Sequence, residues 1–98
     1  METIFVIAQA IAKKGKEREA EQALRDMVAP TRAEAGCVLY NLYLAEEAGL
    51  FFFYEQWANS DALKSHTETS HYRKLLEVAP NLFEGELAVH LLRPADES

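Results

Sequence analysis

Leu50-Phe51-Phe52-Phe53-Tyr54-Glu55-Gln56-Trp57 is the stretch that decides the fold. Its aromatic residues favour an extended strand, in which successive side chains point to opposite faces. Phe51, Phe53 and Trp57 then share one face with Glu55, and Leu50, Phe52 and Tyr54 occupy the other. Neither face suits solvent, so the strand needs cover on both sides.

Glu46-Glu47-Ala48-Gly49, just before it, is a polar connection of hairpin length ending in glycine. Cys37 to Ala45 therefore reads as an antiparallel neighbour of a strand from Leu50 to Ala58. On the other side, Asn59-Ser60-Asp61 offers N-cap side chains and an early acid, opening a helix with Ala62, Leu63 and His66 on one face. Thr69-Ser70 recaps a second helical piece carrying Tyr72, Leu75, Leu76 and Ala79, with Pro80 as its expected end.

Toward the N-terminus, Ile4 to Ala12 reads as a strand stopped by Lys13-Lys14-Gly15. From Lys16 to about Glu34, the residues Ala20, Ala23, Leu24, Met27 and Val28 recur at helical spacing. Pro30 is expected to kink this helix or begin a new turn, and Gly36 to stop it. Glu86 to Arg93 forms the last strand, and Pro94 to Ser98 a frayed tail. The order predicts one α+β domain over residues 1–98: a ferredoxin-like βαββαβ antiparallel sheet with both helices on one face.

The first strand is two-faced as well, with Ile4, Val6, Ala8 and Ala10 on one side and Phe5, Ile7 and Ile11 on the other. Two helices cover only one side of a sheet. At about 25 cal/mol per Å², an uncovered face on the order of several hundred Å² forgoes many kcal/mol and invites aggregation. The expected cover is a second copy, giving a homodimer in which two sheets form a shared barrel.

Composition narrows the partners. The 98 residues are 49% hydrophobic and 27% charged, with 10 basic against 16 acidic residues and a formal charge of −6. This balance repels phosphate backbones and anionic lipid, so neither nucleic acid nor membrane is an expected partner. Cys37 is the sole cysteine, which excludes an intramolecular disulfide and suits a reducing compartment. Acidic Glu2 precedes the apolar opening and the lysines follow it, the reverse of a secretory signal. A cytoplasmic protein is expected.

For chemistry, His66 stands out. It follows Ala62 and Leu63 at i+4 and i+3, which turns it toward the sheet, and an imidazole in an apolar pocket can serve as a base near neutral pH; the alternative is a core histidine bonded to a backbone carbonyl. His71, five residues on, is expected on a different helical face, and His90 lies on a distant strand, so no metal site is expected. Ala8 and Ala10 leave space opposite His66. Trp57 could stack on a flat ring or simply fill the core. Glu55 on an apolar face is either paired with an Arg or Lys or placed to handle a proton. Asn41, amid Tyr40, Leu42 and Tyr43, either orients a ligand or satisfies backbone. Cys37 has no base beside it in sequence and is not expected to be a nucleophile.

Lys14-Gly15-Lys16-Glu17, the run Ala29 to Cys37 (Ala-Pro-Thr-Arg-Ala-Glu-Ala-Gly-Cys), Tyr54-Glu55-Gln56-Trp57, and His66 followed by Thr69-Ser70-His71 together resemble the antibiotic biosynthesis monooxygenase family, in its small quinol monooxygenase branch. The resemblance covers nearly the whole chain. It implies a dimeric α+β barrel with a pocket between helices and sheet. It also implies oxygenation of an electron-rich aromatic molecule such as a quinol by dioxygen, with no flavin, haem or metal. On that resemblance His66 is the base or oxyanion partner, and Trp57, Phe53 and Tyr72 shape an aromatic slot. Haem-degrading relatives carry an asparagine where Ala8 stands, a tryptophan where His66 stands and a histidine near Leu76, so haem degradation is disfavoured. Polyketide-oxidising relatives carry an asparagine where Phe53 stands. The family also contains isomerases of small hydroxyketones and members without evident turnover, leaving an isomerase or a non-catalytic ligand-binding or stress-related barrel as alternatives.

Overall fold

The computed structural model describes residues 2–96. Eight elements follow in order: β1 (Ile4–Ile11), α1 (Glu17–Arg25), α2 (Val28–Arg32), β2 (Cys37–Leu44), β3 (Leu50–Trp57), α3 (Ser60–His66), α4 (Ser70–Leu82) and β4 (Ala88–Leu92). The strands form one antiparallel sheet in the order β2-β3-β1-β4. The ferredoxin-like α+β architecture is as the sequence predicts.

β3 sits in the middle of this sheet, and its side chains alternate strictly. Phe51, Phe53, Glu55 and Trp57 are buried beneath the helices, while Leu50, Phe52, Tyr54 and Gln56 lie half-buried on the open face. The register places Val6 opposite Glu55, Ala8 opposite Phe53 and Ala10 opposite Phe51. The small side chains of β1 thus stand beside the large ones of β3 on the helix side.

The helices depart from expectation in two places. The segment from Lys16 to Glu34 is two helices, broken at Asp26 and Met27 rather than at Pro30. The Met27 N–H bonds the carbonyl of Leu24, three residues back, which tightens the turn. Pro30 falls in the first turn of α2, where a missing N–H costs nothing. Pro80 does not end α4, which runs to Leu82. A proline deletes one internal hydrogen bond, but the next turn is held by buried Leu82 and Phe83. Backbone bonds from Lys13 to Leu82 and from Glu84 to Ile11 tie that turn to β1.

α3 and α4 are also separate helices, each with its own cap. The Asn59 side chain accepts from the Ala62 N–H, and the Thr69 hydroxyl from the Tyr72 N–H. The last strand is shorter than expected, Ala88–Leu92. Of the expected tail, residues 97–98 lie outside the described residues. Among the described residues no helix is long and apolar enough to cross a membrane.

Candidate functional site

The connection from α2 to β2 carries Glu34, and one glycine makes its position possible. Gly36 has a φ of +87°, and a Cβ there would stand 2.5 Å from the Cβ of Ala62 in α3. Its carbonyl accepts a hydrogen bond from the Ala58 N–H at 2.8 Å. Only glycine allows this approach, which lays α3 against the connection and brings His66 to Glu34.

Glu34 Oε2 lies 2.8 Å from His66 Nδ1 and 2.7 Å from His71 Nε2. Both imidazoles thus meet one carboxylate oxygen, and the Glu34 and His66 side chains are 11% and 4% exposed. This corrects the expectation that His66 and His71 face apart. Five residues along a continuous helix would separate them, but α3 ends at His66 and α4 restarts at Ser70, so the rotation is reset. An ionised carboxylate only accepts, so His66 donates from Nδ1, and its neutral ring keeps the lone pair on Nε2. Burial pushes the His66 pKa below its ordinary value, against the hydrogen bond and charge of Glu34 that raise it.

His66 borders a cavity of about 140 Å³ between sheet and helices, whose lining includes Ala8, Tyr40, Phe53, Glu55 and Tyr72. Tyr72 meets the imidazole edge-on at a centroid distance of 5.0 Å, and Trp57 lies behind it at 4.7 Å. Tyr40 stacks on Phe53 at 4.6 Å. Cys37 keeps its proton more firmly than usual because burial and the charges of Glu34 and Glu55 push its thiol pKa up.

Glu55 pairs with no Arg or Lys among the described residues, although the sequence allowed for one. The Trp57 indole N–H donates to its Oε1 at 2.9 Å, and the residue is only 5% exposed. Burial raises its carboxyl to about 6, the Trp57 bond opposing and the charge of Glu34 adding. Its charge therefore changes within the range where an enzyme works.

The structure thus gathers Ala8, Phe53, Glu55, His66 and Tyr72 around one cavity, with Trp57 as support against His66 and Glu55. Asn41 is not among them. It pairs with Tyr54 on the open face of the sheet and takes a hydrogen bond from Arg32 at 3.0 Å. The cause is a register shift between Cys37 and Leu39, which reverses the alternation of β2. Glu34 is the residue that sequence reasoning missed. Its one trace was membership of the run Ala29 to Cys37.

Among the described residues, Glu34, His66 and His71 form the group that could hold a metal ion, with three potential ligand atoms within 4.8 Å of one another. Their spacing about Oε2 is that of hydrogen bonds, which the three groups satisfy among themselves.

A family model described as antibiotic biosynthesis monooxygenase matches residues 3–78. The Mycobacterium tuberculosis protein named "Putative monooxygenase Rv0793" is 37% identical over 82 residues, 83% of this chain and 81% of that protein. The structure of Rv0793 superposes with a TM-score of 0.91, covering 99% of each chain at 30% identity. The crystal structure of PA3566 from Pseudomonas aeruginosa gives 0.91 at 31% identity, covering 98% of this chain and 97% of that one.

Proposed function

The chain belongs to the antibiotic biosynthesis monooxygenase family, and on that premise we propose that it is a cofactor-independent monooxygenase acting on a quinol or a similarly electron-rich small aromatic molecule. One observation carries the proposal: the part-buried carboxylate of Glu34 holds His66 by Nδ1 at 2.8 Å, on the border of a mostly apolar cavity. This is a base with its orientation fixed and its nucleophilic nitrogen left for a ligand. The name of the Mycobacterium tuberculosis relative supports the same reaction type.

His66 Nε2 takes the phenolic proton, and the imidazolium so formed is stabilised by Glu34 through Nδ1–H. The phenolate then gives one electron to dioxygen. Superoxide and the ring radical recombine to a C–O bond, the peroxide so formed takes back the proton held on His66 Nε2, and the hydroperoxide loses water to leave a carbonyl. One oxygen atom enters the ring and the other leaves as water, so a quinol and dioxygen give a hydroxyquinone and water with no external reductant. The apolar lining of the cavity limits the water that meets the intermediates. Tyr72 and Phe53 provide flat surfaces that hold the ring, and Trp57 backs His66 from outside the cavity.

Glu55 favours a second reading. A carboxyl with a pKa of about 6 and the His66 base on one cavity form an acid–base pair, which suits isomerisation of a small hydroxyketone. Uptake of labelled dioxygen with one atom found in the product supports the monooxygenase; turnover without oxygen uptake supports the isomerase, and neither is expected of a binding barrel.

The same proposal includes a homodimer. Phe5, Ile7, Phe52 and Tyr54 stand on the sheet face that no helix among the described residues covers, and a second sheet is the cover that suits them. A reducing, cytoplasmic setting is supported by the single cysteine.

A further inference from the structure

The cavity at His66 is small. At about 140 Å³ it is close to the roughly 150 Å³ that accommodates benzene in an apolar protein cavity, enough for one ring. Tyr72, Leu87 and Val89 line the cavity and also line a larger cleft of about 560 Å³, between α4 and the segment leading into β4.

This outer cleft is floored by Leu76, Ala79 and Phe83. It exists because the helix layer stops short of the last strand: Val89 is 53% exposed and Leu76 48% exposed although both face the gap. A second groove, between α1 and α4, shares Met27 and Leu75 with the cavity but is edged by Glu19, Asp26 and Lys74, which suits water. The outer cleft also lies on the helix side, away from the open sheet face proposed for the partner copy.

Resting on the monooxygenase reading for the ring, we infer that the site takes an aromatic ring bearing an apolar chain, with the ring beside His66 and the chain running out past Tyr72, Leu87 and Val89 over Leu76. Lys13 and Glu86 put charge at the outer cleft, but most of its lining is apolar, and a bare ring would leave that apolar surface unused. The substrate class is an alkyl- or prenyl-substituted quinol.

Binding of para-alkylphenols with one to eight chain carbons tests this by calorimetry, since these probes need no turnover. Kd should fall roughly fourfold per methylene over the first carbons, the value of a buried CH₂. Leu76→Asp, at a half-exposed position, should flatten that dependence, and Ala23→Asp in the α1–α4 groove should not. Affinity independent of chain length, a dependence that Leu76→Asp leaves intact or Ala23→Asp removes, or no binding by any phenol overturns the inference. Absence of oxygen uptake with quinols would instead sink the monooxygenase reading and leave the binding result standing.

Discussion

Glu34 and His66 are 32 residues apart in sequence, yet a single hydrogen bond of 2.8 Å joins them in the interior. Glu34 does not itself line the cavity and acts through the histidine, as a positioning residue. Glu34→Gln should lower turnover by roughly a hundredfold. Burial lowers the His66 pKa and Glu34 raises it, so the base form is already present near neutral pH and the rate should climb only on the acid side. In Glu34→Gln that acid limb should move to lower pH, because burial then acts unopposed. A limb that stays in place, measured as kcat/KM against pH, contradicts the assignment.

Glu55 predicts a pH-dependent stability of opposite sign to that of an ordinary paired carboxylate. Its folded pKa of about 6 exceeds the ordinary 4.5, so its stabilising contribution is complete below 4.5 and is lost as pH rises through 6. Glu55→Gln keeps the acceptor for Trp57 and removes the charge. Relative to the parent, it should gain about 2 kcal/mol on going from pH 4.5 to pH 8. Urea unfolding at the two pH values measures this; a constant difference would show that Glu55 is not held as a buried acid.

Gly36→Ala places a methyl group 2.5 Å from the Ala62 Cβ on a backbone with φ of +87°. The expected cost is about 1–3 kcal/mol. Because the displaced element is the connection carrying Glu34, activity should fall more than in a variant of equal destabilisation at Gly15, where a Cβ meets nothing within 4 Å. Equal activity in the two variants would detach Gly36 from the site.

The open sheet face predicts the assembly. Sedimentation at micromolar concentration should show a dimer, and Phe52→Glu, placed on that face, should convert it to monomer or aggregate. A stable monomer of the unaltered chain contradicts the shared barrel.

β3 was readable from sequence because a strand repeats every two residues, and the alternation from Leu50 to Trp57 survives folding unbroken. The placement of His66 beneath the helices was readable for a similar reason, since Ala62, Leu63 and His66 lie within one short helix. What escaped depends on interruptions of period. The shift at Cys37 and Leu39 carried Asn41 to the other face. The break between α3 and α4 returned His71 to the side of His66, and Glu34 meets both only through a contact 32 and 37 residues away in sequence. Local pattern holds no record of such contacts.

Oxygen consumption with a panel of quinols, in the presence of a metal chelator, tests the central claim most directly when run on the parent chain and on His66→Ala side by side, with folding of both verified by circular dichroism. The parent should consume oxygen in step with quinol loss despite the chelator, and His66→Ala should fall by at least about a hundredfold. Equal rates in the two proteins, or a parent rate abolished by chelation and restored by added metal, would contradict a metal-free base at His66.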